Sequence, residues 1–181
     1  MANRRETRAA KPSGPPEDPE QRARDICLRL LTARPRTRTE LRQALLRKEI
    51  EEDVADQVLN RLDEVGLVDD AAFAELWVSS RHTHQGLGRR ALATELRRKG
   101  VPDDVAAEAV ATVDADAEEE RARQLVRKRL RGLPGADEQA KVRKLVGMLA
   151  RRGYSEGLAF RVVRDELRAA GEESDLLDGS L

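Results

Sequence analysis

Between residues 19 and 168 the apolar positions of this 181-residue chain recur at helical spacing, and no stretch alternates apolar and polar residues for the length of a strand. The pattern predicts about nine helices. A first, from about Pro19 to Ala33, turns Ile26, Cys27, Leu30 and Leu31 inward and ends before Pro35. Thr37-Arg38-Thr39-Glu40 has the spacing of a capping box and opens a second, with Leu41, Ala44 and Leu45 as its apolar stripe. A third spans about Glu51 to Val65 on Val54, Val58, Leu59 and Leu62, with Gly66 as its stop. Asp69 caps a fourth, whose Phe73, Leu76 and Trp77 are expected inside, and His84-Gln85-Gly86-Leu87-Gly88 breaks it. A fifth runs from about Arg89 to Lys99 on Leu92 and Leu96, stopped by Gly100. A sixth starts at Pro102, with Asp103 and Asp104 complementing its dipole and Val105, Ala109 and Val110 apolar. The seventh, eighth and ninth cover about Asp116–Leu130, Asp137–Arg151 and Ser155–Arg168. The eighth turns Val142, Leu145, Met148 and Leu149 inward, and the ninth Leu158, Val162, Val163 and Leu167.

These helices fall into three groups of three in a common register. Leu41, Leu92 and Leu145 correspond, as do Leu45, Leu96 and Leu149, and then Val54, Val105 and Leu158. The expected fold is therefore all-α: an elongated tandem array of three three-helix, helix-turn-helix-like repeats. The expected division is a disordered tail over 1–18, repeats over 19–66, 67–113 and 114–168, and an acidic C-terminal tail over 169–181. A unit of this size lies near the lower limit for folding alone and gains stability from its neighbour. The same punctuation closes the second helix of each unit: Arg47-Lys48, Arg98-Lys99-Gly100 and Arg151-Arg152-Gly153.

Composition narrows the function classes. Hydrophobic residues make up 39% and charged residues 38%, aromatics are few, and formal net charge is zero. Thin helical cores with solvated faces fit that balance, and no global field draws the chain toward nucleic acid or membrane. Any electrostatic recognition has to come from charge placement. Cys27 is the one cysteine and sits in an apolar helical pattern, as a small buried hydrophobe. No apolar run approaches the roughly 20 residues of a membrane helix. The Arg-rich N-terminus is followed by no hydrophobic segment, so a cytoplasmic location is expected.

Candidate chemistry is basic rather than catalytic. A cation near a helix C-terminus gains about 0.3–1 kcal/mol from the dipole, which accounts for any one of the basic pairs. Three in register read also as a row of positive charge. Arg81, Arg89 and Arg90 flank the Gly86-Leu87-Gly88 loop, where exposed backbone donors and arginines suit phosphate or carboxylate groups. His82 and His84, two apart, point to different sides of a helix and are not read as a metal site. No HExxH, nucleophile elbow, phosphate loop or cysteine pair is present. No enzyme activity or cofactor is expected. Phe73 and Trp77 are expected in the core, and Tyr154 at a junction between units. No aromatic row offers bases a stacking platform. Residues 136 to 168 carry an excess of basic residues, while the final eleven hold only acidic charges, as if to shield that face.

The segment Thr37 to Arg81 closely resembles the RecX family of regulatory proteins, and Gly86 to Val101 continues it. The strongest words are Glu40-Leu41-Arg42, Gly66-Leu67-Val68-Asp69-Asp70 with Phe73-Ala74, and Glu95-Leu96-Arg97-Arg98-Lys99-Gly100. The third unit fits in length and helix count with weaker motifs. Glu49 departs from the family by standing where Gly is frequent, which suggests a looser first turn. The resemblance covers about residues 21 to 168. It implies a modulator of the RecA recombinase that lies in the groove of the RecA filament on single-stranded DNA. There it would block strand exchange, co-protease activity and ATP hydrolysis, and so act on recombinational repair and the SOS response. The residues expected to face that partner are Arg81, Arg89, Arg90, Arg97, Arg98 and Lys99 of the middle unit, Arg47 and Lys48 of the first, and Lys144, Arg151 and Arg152 of the third. A monomer is expected, with weak direct contact to DNA. The alternative is a helical-repeat protein that binds nucleic acid directly; net neutrality and the scarcity of aromatics favour the filament.

Overall fold

The computed structural model describes residues 18–133, 135 and 137–178, with the backbone alone over 172–178. The expected N-terminal tail lies outside the described residues except for Asp18. Within them the chain is all-helical: α1 (Pro19–Ala33), α2 (Arg38–Arg47), α3 (Glu52–Glu64), α4 (Asp70–Ser80), α5 (Arg89–Arg98), α6 (Asp103–Ala111), α7 (Ala115–Leu130), α8 (Glu138–Arg151) and α9 (Glu156–Asp178). A five-residue π-turn, Arg81–Gln85, continues α4.

The helix starts follow from their caps. Asp18, Thr37, Asp69, Asp114 and Asp137 each accept a hydrogen bond from a backbone N–H of the first turn they precede. Thr37 and Glu40 form the full reciprocal capping box. Two elements depart from the sequence pattern. His84 and Gln85 do not break α4 but widen it into the π-turn, and the reversal comes only at Gly86, at φ 64°. The last helix runs on past Arg168 through the acidic segment to Asp178. Ala169, Ala170, Glu172 and Glu173 are good helix formers, and one interior glycine, Gly171, costs only about 1 kcal/mol.

Helices pack in triplets, α1–α3, α4–α6 and α7–α9, as three repeats in a row. Each has its own core. Cys27, Leu41, Leu45, Val58 and Leu59 centre the first, Phe73, Val78, Leu92, Leu96 and Val110 the second, and Val126, Leu145, Leu149, Val162 and Val163 the third. The leucines in register, at 41, 92 and 145 and at 45, 96 and 149, are all fully buried. Burial pushes the Cys27 thiol up to about 11, in keeping with a packing role. Leu76 corrects the expectation: it is 66% exposed. Phe73, Ala74, Trp77 and Val78 define the inner stripe of α4, and Leu76 falls on the other side of it.

Adjacent units meet through turns rather than through long helix faces, and the same join is made twice. The turn after α5 docks on the start of α2: Thr37 Oγ1 donates to the Lys99 carbonyl at 2.6 Å, and Thr39 Oγ1 to the Gly100 carbonyl at 3.0 Å. The turn after α8 docks on the start of α5: Gly88 N donates to the Arg152 carbonyl at 2.8 Å, and Arg90 N to the Gly153 carbonyl at 3.3 Å. The recurrent basic-pair-glycine punctuation is thus the plug that seats each later unit on the one before it.

Candidate functional site

The second junction assembles the most elaborate surface. Tyr154 follows the plug and is 2% exposed; its hydroxyl donates to the Gly86 carbonyl at 3.0 Å. Burial pushes this phenol up to about 12, so Tyr154 is a buried tie between units rather than part of an outer surface. Gly88 has ordinary backbone angles, but a Cβ there would come within 2.9 Å of the Gly153 carbonyl. Only glycine lets the two backbones approach. From α7, Arg121 donates to the carbonyls of His82 and Thr83. From the plug, Arg152 donates to the carbonyl of Gln85. The third unit thus takes up the carbonyls of Thr83 and Gln85 and shares that of His82, which also accepts from Gly86 N at 3.1 Å. His82 Nδ1 lies 2.9 Å from the Leu87 carbonyl.

The expected partner cations separate into two classes. Some are committed within the fold. Lys99 pairs with Glu40 of the first unit at 2.9 Å and lies 4.6 Å from the centre of the Trp77 ring. That pairing helps hold the Glu40 carboxyl low: burial pushes it up, but hydrogen bonds from Lys99 and Thr37 outweigh the burial. The Arg81 guanidinium lies 4.2 Å from the centre of the same ring and contacts Glu95 at 3.5 Å. Trp77 is accordingly half-buried, not a full core residue: it stacks on Phe73 at 5.6 Å and donates from Nε1 to Glu95 at 2.8 Å. Arg97 reaches Asp103 at 3.4 Å in an exposed pair, which holds it only weakly.

The others remain presented to solvent. Arg90, Arg98 and Arg151 line one groove of about 670 Å³ between the second and third units, with Leu87, Tyr154 and Val146 in its wall. Sequence spacing could not have joined Arg90 and Arg98 to Arg151; the docked plug does. Arg89 is half-buried at the mouth of α5, where its backbone N–H donates to Glu118 at 2.8 Å. Lys144 is exposed on α8 outside that groove, and Arg47 and Lys48 are exposed at the far end of the array. Lys128 and Arg129 in the last turn of α7 and Arg131 at its C-cap were missed, because basic residues at a helix C-terminus are ordinary. Their arrangement opposite the π-turn has no local signature. Among the described residues no group of His, Cys, Asp and Glu is placed to hold a metal ion.

Three family models match in order: the first three-helix domain of RecX over residues 23–62, the second over 69–110 and the third over 116–163. The chain belongs to the RecX family. A regulatory protein RecX from Amycolatopsis mediterranei (strain U-32) is 56% identical over 167 residues, covering 92% of this chain and 95% of that protein. One from Thermobifida fusca (strain YX) is 57% identical over 163 residues, covering 90% and 88%. The crystal structure of RecX from Lactobacillus salivarius superposes with a TM-score of 0.77 at 22% identity, over 82% of this chain and 96% of that one. A second crystal structure of a regulatory protein RecX gives 0.73, also at 22% identity, over 82% and 72%. These structures establish that the triplet array is the fold of RecX proteins. No helix among the described residues is long and apolar enough to cross a membrane.

Proposed function

We propose that this protein is a regulator, not an enzyme, that binds the RecA filament on single-stranded DNA as a monomer in the cytoplasm and lowers RecA ATP hydrolysis, strand exchange and co-protease activity. RecX membership across all three repeats supports the regulatory role. The observation that carries the contact surface is the groove lined by Arg90, Arg98 and Arg151 at the second junction. It sits where two units of the array meet and brings exposed cations from both of them into one cleft. Arginine forks in a partly walled cleft suit either phosphates or carboxylates of such a partner.

The test is inhibition of RecA ATP hydrolysis on single-stranded DNA by wild type and by Arg90→Glu/Arg98→Glu/Arg151→Glu. All three side chains are exposed, so helicity should persist. The inhibitory concentration should rise at least tenfold, with a weaker dependence on salt. Full inhibition by the folded triple variant would remove this groove from the interface. Wild type that leaves ATP hydrolysis untouched but binds naked DNA tightly would favour the helical-repeat DNA-binding reading instead.

A further inference from the structure

On another side of the second junction lies a second groove, of about 480 Å³, whose charged lining is entirely basic: Arg121, Lys128, Arg129 and Arg131 of the third unit's first helix and its exit, and Arg152 of the plug, with His84 of the π-turn at the rim. No carboxylate lines it, whereas Glu95 and Glu156 enter the groove of Arg90, Arg98 and Arg151. In a chain with 34 basic and 34 acidic residues, such segregation needs a reason. Among the described residues none of these five cations pairs with an acid. Arg121 and Arg152 are held instead by neutral main-chain carbonyls, those of His82, Thr83 and Gln85. A carbonyl fixes a guanidinium without cancelling its charge. The π-turn therefore supplies a scaffold that orients two arginines and leaves their field intact, while Lys128, Arg129 and Arg131 stand exposed beside them.

We infer that this groove is a track for the phosphate backbone of single-stranded nucleic acid, separate from the groove of Arg90, Arg98 and Arg151. Several cations along one cleft match a ligand with a charge at every residue. The lining holds no Phe, Tyr or Trp ring on which successive bases would stack, only the single imidazole of His84 at the rim, and its amide groups, Gln85 and Gln124, are too few to read a sequence, so recognition is of backbone and not of base. A compact anion would fill only a fraction of the cleft. An acidic protein surface is the competing occupant, but the apolar part of the lining is only Leu125 and Met148, little anchorage for a protein hot spot. The identity of the strand as filament DNA rests on the function proposed above; the contact with a phosphate backbone does not.

The experiment uses the full chain and a fluorescently labelled mixed-sequence single strand, read by anisotropy across a salt series, beside RecA ATP hydrolysis. The variants are Lys128→Gln/Arg129→Gln/Arg131→Gln and its Glu counterpart; Arg24→Gln/Arg29→Gln/Arg61→Gln in the first unit gives the same charge change elsewhere. Circular dichroism and melting check each fold, and the Gln variant answers if the Glu variant fails to fold. The groove variants should bind the strand at least tenfold more weakly. The slope of log affinity against log salt should fall by about 2, as for three lost phosphate contacts on a single strand. The control should stay within twofold of wild type. Unchanged strand affinity in the groove variants overturns the inference, and if inhibition is lost at the same time the groove faces protein. An equal loss in the control overturns it as well, reducing the effect to net charge. Strand binding lost by the groove variants, while wild type leaves RecA untouched, keeps the groove and removes the filament.

Discussion

At the scale of single residues, the closing turn of each unit shows why one position carries Gly twice and Glu once. Gly100 and Gly153 sit at φ 76° and 87°, and Glu49 at φ 60° in the same turn. The departure at Glu49 was expected to loosen the first turn, but the turn closes in the same way. Ile50 N donates to the Leu45 carbonyl at 3.2 Å, as Val101 N does to Leu96 and Tyr154 N to Leu149 at 3.1 Å. What differs is the surroundings. A Cβ on Gly100 would collide with Thr39, and one on Gly153 with Ala91, because those turns are plugged into a preceding unit. Among the described residues the first turn docks on no preceding unit, so a side chain there meets no socket. The consequence is a pair of substitutions of opposite sign. Glu49→Gly should stabilise by up to about 1 kcal/mol, as relief of left-handed strain exceeds the entropy cost of glycine. Gly153→Ala should destabilise by about 1–3 kcal/mol through strain and collision together. Urea melts of the two variants beside wild type check both; destabilisation by Glu49→Gly would contradict the argument. Tyr154→Phe, which leaves the Gly86 carbonyl without its donor, should cost about 1 kcal/mol in the same assay.

At the scale of elements, α7 and α9 are tied by a charged cluster that the apolar register gave no hint of. Glu166 is 6% exposed and accepts from Arg127 Nε at 2.8 Å and from Arg123 at 3.1 Å, while Glu119 takes Arg123 at 2.7 Å and Arg161 at 2.6 Å. Burial pushes the Glu166 carboxyl up, but the hydrogen bonds from Arg127 and Arg123 outweigh it and hold it below its ordinary value of 4.5. Arg123 and Arg161 hold Glu119 low too. A carboxyl lowered in the folded state adds stability above its unfolded value, and that stability is lost as pH falls through the folded one. The third unit should therefore hold its full strength above about pH 4.5 and weaken steadily below it. Glu166→Gln should cost about 1–3 kcal/mol at pH 7 and flatten that acid dependence. Urea melts from pH 7 to 3, followed by tyrosine fluorescence at Tyr154, test it; equal acid sensitivity in the variant would assign the effect elsewhere. This cluster marks the limit of what the sequence makes legible. Helix order, caps and the buried leucines follow from local spacing, because each is decided within one or two turns. The α7–α9 cluster, the half-exposed Trp77 and the groove uniting Arg90 with Arg151 depend on helices far apart in sequence, and no spacing encodes which charge meets which. The π-turn failed for a related reason: Arg121 and Arg152, which take up its carbonyls, come from the next unit.

At the scale of the whole molecule, three small cores in a row are joined by turns, so shape depends on a few backbone contacts at each join. A compact globule of this length would have a radius of gyration of about 16 Å, and the array should exceed that clearly in small-angle scattering. The second join offers a way to change shape without disturbing any core. Gly88 has φ −79° and ψ 167°, angles any residue adopts, so alanine there brings no strain within the middle unit. Its Cβ would instead press within 2.9 Å of the Gly153 carbonyl and the Tyr154 nitrogen. The bond from Gly88 N to the Arg152 carbonyl, and with it the plug, would have to shift. Gly88→Ala should therefore leave helicity within a few percent of wild type while altering the scattering profile, as the third unit moves against the second. Both grooves at that join, the one with Arg90, Arg98 and Arg151 and the one under the π-turn, take residues from either side of it. On the function proposed above, inhibition of RecA should then weaken although no charge has been removed. A second variant separates loss of alignment from loss of fold: Gly66→Ala, at φ 72° with open space around it, strains a turn without touching either join. It should lower stability by about 1 kcal/mol and leave scattering and inhibition as they were. If Gly88→Ala inhibits RecA like wild type while its scattering profile has changed, the relative placement of the second and third units does not matter to the regulator, and a single unit is enough.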